Sequence, residues 1–234
     1  MTEMVFRRRR LPHQDVDGPP IFITGCLADS LSAIGFSRIE KYREQLDSRR
    51  KPDGSTLQHW EERKQKLMFA FVDNLLDHES AVRHLADDSQ AEIVQNSFLH
   101  FANDRYKLLA FVVMPSHHHW LFLPDEAWAI EAVNRSRDSS GYQKTPREII
   151  SHSIQSYTAT MCNRVRNATG AYWQHETFDH WARDEDETLR IIEYVEQNPV
   201  KAGLVSTAAD YRFSSARIRK QLGLAYGQAI PKVG

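Results

Sequence analysis

LLAFVVMPSHHHWLFLP, residues 108–124, holds two apolar runs on either side of a Pro115-Ser116 break. Both runs are short, rich in β-branched and aromatic side chains and flanked by polar positions, which is the pattern of a buried strand. A tight turn at the break makes the second strand, residues 117–124, antiparallel to the first, which starts at Tyr106. Side chains alternate across a strand, so His117 and His119 share one face, about 6.5–7 Å apart along the chain, while His118 takes the other. Neutral imidazole is a common metal ligand, and two from one rigid strand need only one or two further groups and some water to hold a divalent ion. The competing reading is a polar rim where a strand begins.

Working outward, PIFITGCL (20–27) supplies an earlier strand. A polar stretch follows, broken at Lys51, Pro52, Asp53 and Gly54, and LQHWEERKQKLMFAFVDNLLD (57–77) then shows apolar residues at helical spacing. AEIVQNSFLHFAND (91–104) reads as another helix. Downstream, NRSRDSSGYQKT (134–145) reads as a mobile connection, and Pro146 opens a long helix that runs to about Ala168 and is closed by Gly170. AYWQHETFDHW (171–181) is a fourth strand or extended segment. DETLRIIEYVEQ (186–197) is a last helix that starts in an acidic cluster suited to its positive dipole end and stops before Asn198-Pro199.

This order predicts an α+β fold: a ferredoxin-like split βαβ antiparallel sheet with helices on one face and an additional C-terminal helix carrying a tyrosine. A single domain is expected over residues 20–217, with a basic N-terminal arm at 1–19 and a C-terminal tail at 218–234. The 234 residues can bury one substantial core.

A net charge of −1 gives no global electrostatic argument for a polyanion partner, so any such site must be local. Arg7, Arg8, Arg9 and Arg10 form a basic run, with smaller groups at Arg164 and Arg166 and at Arg217, Arg219 and Lys220. Each group alone reads first as solvated surface. Cys26 and Cys162 lack metal-type spacing and suit a reducing compartment. With no apolar run of membrane-span length and no signal-peptide core, a soluble cytoplasmic protein is expected.

In the last helix Tyr194 and Asn198 stand one turn apart, roughly 40° and about 6 Å from each other. They can share a face at the boundary of the core, directed at the sheet. Tyr194 as a rim residue and Asn198 as a helix C-cap are the plainer readings.

Three separated blocks, MPSHHHWLF (114–122), YWQHETFDHWARDEDE (172–187) and YVEQNPVKAGLV (194–205), together resemble the REP-associated tyrosine transposases, a branch of the single-tyrosine HUH transposases. RRRRLPH (7–13), PIFITGCLADS (20–30) and YRFSSA (211–216) add to the resemblance, which spans roughly residues 7–217. The family motif is histidine, apolar residue, histidine; here the middle position is His118, on the opposite sheet face. The resemblance implies that His117 and His119 are metal ligands with Asn198 completing the shell, and that Tyr194 is the nucleophile. It implies magnesium or manganese as the ion, and a cut in single-stranded DNA beside hairpin-forming repeats through a 5′-phosphotyrosine bond. Partners would be such hairpins, with no membrane, and the chain a monomer or homodimer near the nucleoid.

For DNA contact, Arg7, Arg8, Arg9, Arg10, Arg164, Arg166 and Arg183 are candidate phosphate ligands and Trp173 a candidate stacking surface for unpaired bases, as is Trp181. Core packing for the tryptophans and ion pairing for Arg183 compete. His175, Glu176, Asp179 and His180 are candidates for secondary roles, divided between two faces by strand alternation. Two other functions stay open: a hairpin-binding protein of the same fold without cleavage, and a zinc hydrolase using the histidines.

Overall fold

The computed structural model describes residues 5–8, 12–15, 18–136, 141–175 and 177–232. Most of the connection expected at 134–145 is therefore described, but residues 137–140 lie outside the described set.

The predicted strands form one four-stranded sheet. β3 (Ile21–Cys26) and β5 (His117–Pro124) occupy its centre, β4 (Tyr106–Val113) and β6 (Phe178–Trp181) its edges, in the order β4-β5-β3-β6. Every neighbouring pair is antiparallel. β3 and β4 therefore run parallel with β5 between them, which is the split βαβ arrangement. β1 (Val5–Arg8) and β2 (Pro12–Asp15) pair as a separate antiparallel hairpin inside the segment expected to be an arm.

Pleating divides the sheet residues into two layers. On one face Ile21, Ile23, Phe111, Trp120 and Phe122 pack against α3 (Asp88–His100) through Val94 and Phe98 and against α5 (Pro146–Val165) through Ile150 and Ile154. This is the helical layer expected on one face. α5 starts as its sequence predicts, with Pro146 in the first turn and a Thr145–Glu148 capping box.

The opposite face carries the helix with the tyrosine, α6 (Glu185–Lys201), whose Ile192 and Val195 meet Phe22, Ala110, Val112 and Leu121. α2 (Leu57–His78) joins it there, packing Val72, Leu75 and Leu76 around Cys26. α6 is opened by Asp184, whose side chain accepts the Glu187 N–H, and carries Glu185, Asp186 and Glu187 in its first turn. No helix among the described residues is long and apolar enough to cross a membrane.

Beyond shifts of a few residues at element ends, one helix end and two further helices differ from expectation. α6 does not stop before Asn198: Pro199 lies inside it, and the Asn198 carbonyl accepts the Ala202 N–H at 2.9 Å. Asn198 and Pro199 are both buried, so packing overrides the bias of a residue before proline against helical geometry. Asn198 is thus a helical residue rather than a C-cap. α1 (Ala33–Ser48) fills the polar stretch before α2; its capping Ser32 and the buried Ile39 and Leu46 are the signals in its sequence. α4 (Glu126–Arg135) follows β5, opened by Asp125.

The residues beyond 217 pack on the rest of the chain. α7 (Ser215–Leu222) crosses the expected boundary at 217/218, and Ile230 beyond it is fully buried and bridges to Leu108. Arg219, read from sequence as solvated, is buried: Nε donates to Glu196 of α6 at 2.8 Å, and Nη1 and Nη2 reach the carbonyls of Ala225, Gln228 and Leu109. Truncating Arg219 strands a buried carboxylate, so Arg219→Ala is expected to lose about 3–5 kcal/mol in urea unfolding, more than either Arg217→Ala or Lys220→Ala.

A candidate metal centre beside a tyrosine

The strand register sets the site. His117, His118 and His119 of β5 face Cys26, Gly25 and Thr24 of β3. His117 and His119 project onto the α2/α6 face, where their Nε2 atoms stand 3.2 Å apart. The Ser116 hydroxyl donates to the Leu76 carbonyl at 2.9 Å, so it accepts from His117 Nδ1–H at 3.0 Å. His117 Nε2 is therefore left with a bare lone pair. On His119 the same nitrogen as in His117, Nδ1, is held at 2.8 Å by Thr24 Oγ1. Two ring nitrogens this close require a proton or a cation between them.

Asp73, from the C-terminal part of α2, closes the cluster, with Oδ2 3.4 Å from His119 Nε2. One ligand atom from each of Asp73, His117 and His119 lies within 4.8 Å of the others, and all three residues are buried. Asn198 arrives from α6 with Nδ2 3.1 Å from Asp73 Oδ2 and 3.2 Å from His119 Nε2. Among the described residues, Asp73 Oδ1 and Asn198 Oδ1 are buried without a hydrogen-bond partner. Buried oxygens are rarely left so. Two orphaned oxygens beside two imidazoles form an N/O donor set that fits a divalent cation. An amide binds metal through oxygen, so Asn198 as a ligand would present the atom that now lacks a partner.

The electrostatics agree. Burial, then the neighbouring His119, holds His117 down to about 3, so its imidazole is neutral at physiological pH. Burial pushes the Asp73 carboxyl up, but His119 and His117 and the hydrogen bond from Tyr194 outweigh it and hold the group below the ordinary carboxylate range. Asp73 is therefore ionised. It lies on the apolar stripe of α2, and an acid within FAFVDNLL is the one trace of it in the sequence, which by itself does not assign it to the site.

Tyr194 Oη donates directly to Asp73 Oδ2. Burial, followed by the charge and hydrogen bond of Asp73, keeps the phenol protonated well above its usual range. The ring lies edge-on to His119, with centroids 5.8 Å apart, and the Lys201 ammonium sits 4.7 Å from its centroid. Tyr194 also lines a groove of about 420 Å³ between α2 and α6. The structure thus brings together His117, His119, Tyr194 and Asn198 and adds Asp73.

His118 lies on the other sheet face, buried against Phe98 and Trp173 at centroid distances of 5.2 and 5.0 Å. Burial and the other two histidines keep it neutral. Gly25 makes room for the ring, because a Cβ there would come 2.3 Å from His118 Nε2. Gly25→Ala is expected to lower stability by about 1–3 kcal/mol, with part of the loss recovered in the Gly25→Ala, His118→Ala double variant in thermal unfolding.

The candidate DNA-contact residues are dispersed. Trp173 is 8 % exposed and its indole N–H is held by Thr158 Oγ1 at 2.8 Å, so it packs in the core and offers no face to a base. Arg183 pairs with Glu62 at 2.6 Å. Arg164 is exposed at the end of α5, and Arg166 lies 5.9 Å from the Tyr172 ring. Arg7 and Arg8 are on β1, whereas Arg9, Arg10 and Glu176 lie outside the described residues. Asp179 faces Arg147 at 3.4 Å.

His180 lies on the groove side, bonded to Glu187 at 3.1 Å. Burial raises the Glu187 carboxyl, but the bond from His180 and the Arg183 backbone N–H outweigh it and bring it to about 2. A lowered carboxylate stabilises the fold above its unfolded value and loses that contribution as pH falls through the folded one. Glu187→Gln should therefore flatten the acid limb of the stability curve between about pH 4.5 and 2, removing on the order of 2 kcal/mol of pH dependence.

No protein-family model and no curated protein matches the chain. Among solved structures, it is similar to that of a REP-associated tyrosine transposase bound to a REP hairpin, with 18 % identity, coverage of 94 % of this chain and 87 % of that one, and a TM-score of 0.49.

Proposed function

We propose that the chain is a divalent-metal-dependent DNA transesterase that cuts and rejoins single strands beside hairpin-forming repeats. One observation carries the reading: a phenol on α6 meets two strand-borne imidazoles and a carboxylate in one buried cluster. Asp73, His117, His119 and Asn198 would hold magnesium or manganese. When bound, the ion polarises the scissile phosphate and offsets charge in the transition state.

The residues account for the remaining steps. Asp73 fixes the phenolic oxygen and is positioned to take its proton as attack proceeds. Tyr194 Oη attacks phosphorus, the P–Oη bond forms, the P–O3′ bond breaks, and the departing 3′ oxygen takes up a proton. The 5′-phosphotyrosine stores the phosphodiester for rejoining, so no ATP is consumed. Hairpin DNA as substrate is what the resemblance of the three sequence blocks to the REP-associated tyrosine transposases implies.

The test is incubation of a hairpin oligonucleotide with the protein and manganese, followed by denaturing electrophoresis. A covalent adduct supports the reading. A mobility shift with no adduct supports a hairpin-binding protein instead, and phosphodiester hydrolysis that survives loss of Tyr194 supports a zinc hydrolase.

A further inference from the structure

The groove between α2 and α6 holds a set of groups that bond-breaking itself does not use. Glu187 is 5 % exposed and accepts both His180 Nε2 at 3.1 Å and the Arg183 N–H at 2.9 Å. A carboxylate fixed in this way fixes the imidazole it holds, and that imidazole lines the groove. From His180, aromatic rings continue through Phe69 at 6.2 Å between centroids and Phe22 at 5.4 Å to Tyr194 at 6.1 Å. Phe69 is half-buried on α2, and Ile191 is half-buried on α6 in the same groove.

Charge is distributed unevenly around these apolar walls. Glu62 is engaged by Arg183 and Glu187 by His180. Glu193 lines the groove together with Lys66, Arg190 and Lys201, all exposed, and none of these three cations has an ion-pair partner among the described residues. Apolar, aromatic walls with a cationic rim match a flat base carrying an anionic phosphate. The volume of about 420 Å³ falls in the usual small-molecule range of about 300–1,000 Å³.

We propose that this groove is a nucleotide subsite: an unpaired base next to the scissile phosphate stacks on Phe69 and meets the ring of the Glu187-anchored His180, and the rim cations bind that nucleotide's phosphate. The proposal rests on the transesterase reading for the direction of the strand and on the groove alone for its chemistry. His180 contacts the ligand, and Glu187 is a positioning residue. Stacking tolerates any base, so the subsite supplies affinity rather than sequence choice.

The test measures binding of fluorescein-labelled single-stranded homopolymer 12-mers to the full chain by anisotropy, with and without manganese. Phe69→Ala and His180→Ala are each expected to weaken binding about 5- to 150-fold, the range for losing one base stack or a comparable contact. Lys66→Glu, an exposed change that spares the core, should weaken it as well. An abasic 12-mer should bind Phe69→Ala and the wild type equally. In adduct formation on a hairpin, Glu187→Gln should raise the half-saturating oligonucleotide concentration while leaving the saturating rate unchanged, a split that a general loss of structure does not give.

Unchanged affinity in Phe69→Ala, His180→Ala and Lys66→Glu overturns the subsite, as does the absence of wild-type binding to all four homopolymers. Adduct formation by the wild type alongside such results leaves the transesterase reading standing. Loss of 12-mer affinity in these variants without any Tyr194 adduct has the opposite meaning: the subsite stands and the transesterase reading fails.

Discussion

Asp73→Asn will bind manganese more than about 100-fold more weakly than the wild type in calorimetry, although no motif pointed to that residue. The lower bound comes from groups that merely orient ligands, whose loss typically costs about 10- to 100-fold in affinity; a direct ligand should cost more. Asn preserves shape and one acceptor for Tyr194 Oη, so the fold is expected to survive. It removes the one buried charge that favours a cation between two nitrogens 3.2 Å apart. His117→Ala and His119→Ala should lose binding comparably, and His118→Leu should leave it intact because that ring lies on the other face of β5. Wild-type affinity in Asp73→Asn would remove Asp73 from the ligand set.

Neither His117 nor Asp73 gives this affinity a pH slope between about pH 5 and 8. His117 is held to about 3 and Asp73 below the carboxylate range, so both stay deprotonated throughout that window.

Tyr194→Phe is the other change with a large expected effect: adduct formation falls by roughly 10⁴- to 10⁶-fold, the scale seen when a covalent nucleophile is removed. The substitution deletes one oxygen and keeps the ring that packs against Phe22 and His119. Asp73 loses a hydrogen bond but keeps the one from Asn198 Nδ2. Hairpin affinity and manganese affinity should therefore change by less than about tenfold while the covalent product disappears. Adducts that persist in Tyr194→Phe would place the nucleophile elsewhere.

Much of this was legible in the chain because it depends on local periodicity. The alternation in LLAFVVMPSHHHWLFLP fixed which histidines share a face, and the helical spacing of Tyr194 and Asn198 put both on one side of α6. The split βαβ order followed from strands separated by helical stretches of adequate length. The helix expected to stop before Asn198-Pro199 continued because burial of both residues outweighed the local cost of a proline in the last turn. The apolar stripe of α1 is too narrow amid charged residues to announce a helix, and nothing local to Arg219 announces its buried partner.

By itself the sequence determined the strand pair, the face that carries His117 and His119, and the helix that bears the tyrosine, since each is set by neighbours a few residues away through pleat and helical pitch. Only the tertiary structure decided that α2 lies beside α6 and brings Asp73 to the rings, that Gly25 opens a space for His118, and that Glu187 holds His180 in the groove. Those contacts join residues distant along the chain, and they depend on sheet register and on which helices pack on the same face, quantities that no local pattern encodes.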